Sequence, residues 1–181
     1  MELTLPEQVK VWERCLGDYD YQPHTPDTEL VKRIIDLPTQ TRRAVDLGCG
    51  RGRHTLWLAQ QGWRTTAIDW AQAALTATNQ TVSQAGIKVQ LLRGDLRHTS
   101  LPSDHFHLAI ATKVIHHGRM REFKRALQEI KRLLAIGGHV VFSVPGRANA
   151  PNTTLGLWVE EGTLVLGSGP EEGLPHHFFT L

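Results

Sequence analysis

Apolar residues recur along this chain with two different periods, and the alternation between the periods lays out its elements. Runs rich in β-branched and apolar residues predict strands over 43–47, 64–69, 88–93, 106–111 and 138–144. Between them helical spacing predicts helices over 53–61, 71–85 and 119–135. In the last of these, Phe123, Ala126, Leu127, Ile130, Leu133 and Leu134 fall at i, i+3, i+4, i+7, i+10 and i+11. Two further helices, 5–16 and 27–37, come first, the second opening at Asp27 behind Pro26 and stopping at Pro38. Gly62, Gly86 and the pair Gly137-Gly138 sit where the three strongest helices need C-terminal caps. Such an alternation predicts an α/β fold: a parallel sheet with helices on both faces and a crevice at its carboxyl edge, where strands 1 and 4 are neighbours.

The most informative segment is Asp46-Leu47-Gly48-Cys49-Gly50-Arg51-Gly52, set between the first strand and an amphipathic run. Glycines there let the backbone take positive φ and let a ligand approach main-chain N–H groups that a Cβ would shield. The dinucleotide pattern G-x-G-x-x-G fails by register, because Arg53 stands where its third glycine belongs. Asp46 points the same way: a carboxylate at the strand end repels a pyrophosphate and holds a ligand carrying an ammonium and a sulfonium. Arg64-Thr65-Thr66-Ala67-Ile68-Asp69 then closes on an acid 17 residues after Gly52, about where a βαβ unit offers a carboxylate to a ribose diol. Trp70 follows with a flat face for an adenine. The third strand ends in Gly94-Asp95-Leu96, an acid placed to accept from an exocyclic amine with an apolar neighbour beside the base.

In these motifs the chain resembles the class I S-adenosylmethionine (SAM)-dependent methyltransferases, in particular the small type carrying D-L-G-C-G-x-G-R-x-T; the match runs from about Trp12 to the last residue. The resemblance implies a Rossmann-like, doubly wound, mostly parallel sheet in the order 3-2-1-4-5. It implies that Asp46 and the loop of Gly48, Cys49, Gly50 and Gly52 contact the methionyl part of SAM, that Asp69 takes the ribose hydroxyls, and that Asp95, with Leu96, takes the adenine. Tyr19 and Tyr21, ahead of Pro23, correspond to aromatic residues that fold over the cofactor; packing of the N-terminal segment on the sheet explains them equally well. Members of the family continue beyond the aromatic segment into a helix and an antiparallel strand pair. Here the sequence stops at Leu181, just after Phe178-Phe179-Thr180. The expectation is therefore a C-terminally short domain lacking that pair, with a second copy or a partner covering the open sheet edge.

Length and composition fit one domain of 181 residues: an N-terminal helical lid over 1–40, a SAM-binding core over 41–145 and a substrate-side insertion over 146–181. The insertion is rich in Gly, Pro, Asn and Glu, with apolar stretches at 155–159 and 163–166 that suit short strands or one loose helix. Apolar content of 40% and charged content of 21% are ordinary for a soluble protein, and no apolar run reaches the ~20 residues of a membrane span. The N-terminus carries no basic and apolar leader, which makes the cytoplasm the default. A net charge of +2 gives no support to a nucleic-acid partner. The basic residues of 119–132 read as the solvated face of a helix. The two cysteines, Cys15 and Cys49, lack metal spacing and read as free thiols.

Methyl transfer from a sulfonium is an in-line displacement, so positioning supplies much of the acceleration, and a base helps only when the acceptor must lose a proton. His116 and His117 directly follow strand 4, and His116 is the first candidate. His177, with His176 in Gly173-Leu174-Pro175-His176-His177-Phe178-Phe179, matches a G-x-P-H-x-F-F signature of related small methyltransferases, where it implies a roof over the acceptor. Thr112 and Lys113 line the cofactor side through their main chains. Arg53 reaches either the cofactor carboxylate or solvent. Of the ten histidines, His105 and His107 share one strand face, but no third ligand is set by spacing, and no metal is expected. Ala111-Thr112-Lys113-Val114 lacks the Asn/Asp-Pro-Pro-aromatic motif of adenine-N6 methylases, and there are no added acids for metal-assisted catechol chemistry. The reading is a SAM-dependent methyltransferase acting on a small molecule. The alternatives are a non-catalytic SAM-binding subunit or sensor that needs a partner, and an oxidoreductase disfavoured by the glycine register.

Overall fold

The computed structural model describes residues 2–18, 21, 25–37, 42–151 and 155–180. Tyr19, Pro23 and Pro38 lie outside them. The chain runs α1 (Leu5–Gly17), α2 (Thr28–Ile35), β1 (Arg43–Leu47), α3 (Arg53–Gln60), β2 (Arg64–Asp69), α4 (Gln72–Gln84), β3 (Gln90–Arg93), β4 (Phe106–Thr112), α5 (Met120–Leu133) and β5 (Leu134–Ser143). Three short strands follow: β6 (Leu157–Glu160), β7 (Thr163–Val165) and β8 (Pro175–His177). The first five strands form a wholly parallel sheet in the order β3-β2-β1-β4-β5.

Residue parity along the central strands decides what each face carries. Val45 and Leu47 of β1 join Ala109 and Ala111 of β4 on one face, against Ala126, Ile130 and Leu133 of α5. Ala44, Leu108 and Ile110 face the other way, against Leu30 and Ile34 of α2 and Leu58 of α3. Asp46 shares the parity of Ala44 and so points under α3 rather than out of the sheet edge. Asp27 caps α2, accepting from the N–H groups of Glu29 and Leu30 at 3.0 and 3.2 Å. Helix α1 packs on α4 through Trp12, Cys15, Leu16, Ala71 and Ala74.

Two of the three expected glycine caps form. Gly62 and Gly86, at φ +82° and +68°, each close a Schellman turn: Trp63 N–H reaches Leu58 O at 3.0 Å, and Ile87 N–H reaches Val82 O at 2.9 Å. The pair Gly137-Gly138 does not cap a helix. Helix α5 ends at Leu133, and Leu134 turns straight into β5, so the glycines lie inside the strand. There the register jumps from Phe106↔Leu134 to Leu108↔His139, an expanded bulge. A Cβ on Gly138 would come within 2.9 Å of Ala135 O and 3.1 Å of Phe106 O. Close backbone approach, rather than helix termination, requires a glycine at that position.

The segment after β5 resolves the choice between short strands and a helix. β6, β7 and β8 make a separate antiparallel sheet, joined to the core where His177 N–H donates to His116 O at 2.8 Å and Phe179 N–H to Pro145 O at 3.0 Å. Among the described residues no strand pairs with the outer side of β5, which leaves Ile136, Val140 and Phe142 exposed.

Candidate functional site

At the carboxyl edge of β1, β2 and β4 lies a cleft of about 690 Å³, open mouth included. Its lining comes from the glycine loop and the ends of β2 and β3, at Gly48, Gly50, Asp69, Trp70, Asp95 and Leu96, and from Ile115, His117, Glu122 and Ala126, with Leu96 packed against Ile115 and Ala126; Trp12 and Leu16 of α1 complete it.

The loop is held in shape by the chain around it. Gly48 and Cys49 both donate their N–H to Ile68 O, at 2.8 and 3.0 Å. Gly50 O accepts from the Thr78 hydroxyl at 2.8 Å. Gly48, at φ +70°, is the tightest point, for a Cβ there would stand 2.3 Å from Val114 Cγ2. Gly52 begins α3 at φ +83° with its α-carbon against Thr78, so it shapes the turn from behind and does not line the cleft. The Cys49 side chain is likewise turned away, its Sγ 3.6 Å from Thr78 Oγ1, leaving only its main chain toward the loop.

Asp69 sits at the centre. Its Oδ2 accepts from Gly50 N–H and its Oδ1 from Ala71 N–H, both at 3.0 Å, so the carboxylate ties the loop to the start of α4 while each oxygen keeps a lone pair for a ligand. Burial pushes its pKa up to about 6, against the pull of those N–H donors. Asp46 is 1% exposed and accepts from the Thr55 hydroxyl at 2.6 Å. Burial, opposed by that hydrogen bond and assisted by the nearby Asp69, raises it to about 7. It is absent from the cleft wall, as its strand parity dictates.

At the end of β3 Asp95 is already engaged. Arg97 donates Nε to Oδ1 at 2.8 Å and a terminal nitrogen to Oδ2 at 2.6 Å, and its guanidinium lies 5.4 Å from the centroid of the Trp70 ring. Sequence reasoning missed Arg97. It also missed a relay behind β4. Asp27 N–H donates to His54 Nε2 at 3.0 Å, which leaves His54 Nδ1–H to donate to Thr112 Oγ1 at 3.1 Å. Burial and the adjacent Arg53 lower the His54 pKa to about 4, so the ring holds this tautomer across the neutral range. Arg53 itself donates to Thr25 O at 3.2 Å and stays out of the cleft. Lys113 lines the wall in a left-handed conformation, φ +52°, its N–H held by Ser143 Oγ at 2.9 Å.

The histidines separate by one residue. His117, not His116, reaches the cleft, and Trp12 tilts against it at 4.6 Å between ring centroids. Burial and its two histidine neighbours hold His117 neutral. His116 turns back toward His176. His177 is buried against Thr163, whose hydroxyl lies 2.7 Å from its Nδ1, and it meets the site only through its backbone bridge to His116. Tyr21 approaches from the N-terminal side but bonds Glu171 rather than lining the cleft. His105 packs edge-on to Phe106, and His107 Nδ1 is buried without a partner.

A parallel sheet in this order, with a glycine loop after β1 and acids after β1, β2 and β3, defines a Rossmann-like nucleoside-binding domain of the methyltransferase kind. The methyltransferase-domain family matches residues 44–138, and the chain belongs to that family, the class I SAM-dependent methyltransferases. Over 163 residues it is 26% identical to trans-aconitate 2-methyltransferase of Streptomyces avermitilis, covering 83% of this chain and 57% of that one. Over 54 residues it is 33% identical to ribosomal RNA small subunit methyltransferase C of Alcanivorax borkumensis, covering 30% of this chain and 17% of the relative. The chain thus spans little more than half the length of one relative and much less of the other. Among solved structures, N-methyltransferase NodS of Bradyrhizobium japonicum, in complex with S-adenosylhomocysteine, superposes with a TM-score of 0.68 at 22% identity, covering 78% of this chain and 74% of that one. No helix among the described residues is long and apolar enough to cross a membrane.

Proposed function

We propose that this protein transfers the methyl group of SAM to a small-molecule acceptor. The observation that carries the proposal is the cleft itself, in which the glycine loop, Asp69, Trp70 and Asp95 line one space with His117 and with Trp12 and Leu16 of α1. The resemblance to trans-aconitate 2-methyltransferase, a small-molecule enzyme by its name, supports the same reading.

The residues present suit SAM. Asp46 and Asp69 are carboxylates whose ionised form burial disfavours, so the pair gains from an ammonium and a sulfonium beside it. The free lone pairs of Asp69 accept from the ribose diol. Trp70 and Leu96 flank the adenine, whose amine shares Asp95 with Arg97. The main chain of Gly48, Gly50, Thr112 and Lys113 borders the methionyl part. Bound SAM supplies an electrophilic methyl group. The chain contributes alignment and the exclusion of water by Trp12 and Leu16. The proposal includes a cytoplasmic location, which suits the two free, buried cysteines.

Calorimetric titration with S-adenosylhomocysteine, with NAD as the control ligand, followed by a panel of small acids, amines and thiols with methyl-labelled SAM, tests the reading. Binding of the homocysteine ligand alone and transfer to one acceptor class are expected. Binding of NAD in its place overturns it. Cofactor binding with turnover only in the presence of a copurifying protein replaces it with the subunit reading, in which that protein covers the open edge of β5.

A further inference from the structure

Beside the cleft, the imidazoles of two consecutive residues meet a third from far along the chain. The ring nitrogens of His116 and His117, from the turn after β4, and of His176, from β8, lie within 4.8 Å of one another. Glu171 enters the same space: its Oε2 is 2.5 Å from His176 Nε2 and 3.8 Å from His117 Nε2.

The hydrogen bonds of this cluster call for a positive charge within it. Leu174 O can only accept, so at 3.1 Å it takes the Nδ1 proton of His176. Neutral His176 then aims a lone pair at a carboxylate oxygen. Two acceptors at 2.5 Å require a cation between or upon them, either a proton on Nε2 or a metal ion. The other oxygen, Glu171 Oε1, accepts from the Tyr21 hydroxyl, so that proton is spent as well. His116 Nδ1 is buried with no partner at all, which is costly for a nitrogen that solvent cannot reach.

We infer that His116, His117, His176 and Glu171 form a binding site for one divalent transition-metal ion of the zinc type. Three imidazoles and a carboxylate are a donor set zinc takes, and ligand bonds of about 2.0–2.2 Å put neighbouring donors roughly 3.3 Å apart. Glu171 Oε2, at 2.5 Å from His176 and 3.8 Å from His117, brackets that value, and the three imidazole nitrogens, within 4.8 Å of one another, come to it by side-chain rotation. The outer partners are those expected around a metal: a carbonyl behind His176 and a hydroxyl behind Glu171. Four protein donors leave no open position, which makes the ion a clasp rather than a reagent. It fastens the β6–β8 sheet to the turn after β4, with His117 as the ligand that also faces the cleft. Spacing alone cannot reveal the set, because its two halves meet only through the bridge between His117 and His176. The inference is independent of the methyl-transfer reading, and its test uses the metal alone.

Chelator-treated protein titrated with Co²⁺ is expected to take up one tight equivalent, with the intense visible absorption of four-coordinate cobalt, and to lose that absorption when Zn²⁺ is added. His116→Gln and His176→Gln each weaken uptake by at least about tenfold. His98→Gln, at an exposed histidine, leaves it unchanged. On the unmodified chain, Zn²⁺ raises the thermal midpoint and a chelator reverses the rise, a readout that survives if the variants fold poorly. Weak, pale, six-coordinate cobalt spectra, or uptake equal in the wild type and the His116→Gln/His176→Gln double variant, overturn the site.

Discussion

Asp46 and Asp69 set the response of the cofactor site to pH. Their folded pKa values, about 7 and about 6, stand above the ordinary carboxylate value of 3.8 because burial disfavours the charge. A raised folded pKa means that the native state holds protons the unfolded chain has released. These two groups therefore lower the stability of the ligand-free protein as pH rises from about 4 to about 7. Cationic SAM acts in the opposite sense, since it favours the ionised carboxylates. SAM affinity measured calorimetrically is expected to increase from roughly pH 5 to roughly pH 7.5 and then level off, with net proton release inside that window. Affinity that is flat across it removes both acids from the ligand's field. Asp69→Ala also cuts the tie between Gly50 and Ala71, so affinity for S-adenosylhomocysteine is expected to fall by about 1–3 kcal/mol. Unchanged affinity in a folded variant takes Asp69 out of the site. The acid at 69 was legible because it ends a strand at a fixed distance from the glycine loop. His117 was not distinguished from His116, because the direction of two consecutive side chains after a strand depends on the turn, and here Lys113 in its left-handed conformation sets that turn.

Through β5 the elements were read from periodicity to within a residue or two, except where α5 meets β5; β8 was not read at all. Two apolar patterns run together at Leu133-Leu134 with no turn residue between them, so the glycine pair that follows looks like a cap although it serves a bulge. At the end of α5 the N–H groups of Asp104 and His105 take Arg132 O and Leu133 O, both at 2.9 Å, and Leu134 pairs with Phe106; a polar clasp lies just before. Glu129 accepts from Thr99 N–H and hydroxyl at 2.8 and 2.7 Å and from two nitrogens of Arg132 at 2.6 and 2.9 Å. Arg132 in turn donates to Leu101 O at 2.9 Å. This clasp joins the last turns of the helix to the loop before β4. The Arg132 hydrogen bond, followed by those from Thr99, holds the Glu129 pKa down to about 2. A depressed pKa contributes stability that is complete above about pH 4.5 and is lost as the pH falls toward about 2. Glu129→Gln should cost about 1–3 kcal/mol in urea unfolding near neutral pH, with a smaller difference from wild type at roughly pH 3. A penalty that does not shrink on acidification assigns the clasp to packing rather than charge.

At the level of the whole molecule, the parallel sheet and its order follow from the strand and helix rhythm, whereas the cover over the cleft does not. The antiparallel sheet β6–β8 and helix α1 reach the site by long-range contacts between segments whose local patterns are ordinary. Helix α1 is the clearer case. Its apolar stripe reads only as an amphipathic helix, yet the chain uses it as a lid anchored through its last turns. Arg51, from the glycine loop, donates to Leu16 O at 2.7 Å. Glu13 reaches over α4, whose first turn has no side-chain cap of its own, and accepts from Gln72 and Ala73 N–H at 2.7 and 2.8 Å. One carboxylate thus satisfies two N-terminal donors of α4 and holds Trp12 and Leu16 over the cleft. Glu13→Ala removes the cap at a cost of about 1 kcal/mol in global stability. Because the same contact sets how tightly the lid sits, release of S-adenosylhomocysteine in stopped flow should accelerate, and amide exchange in α1 should rise in the bound protein while the β1–β4 core stays protected. Loss of stability with unchanged release would make α1 a structural brace rather than a lid.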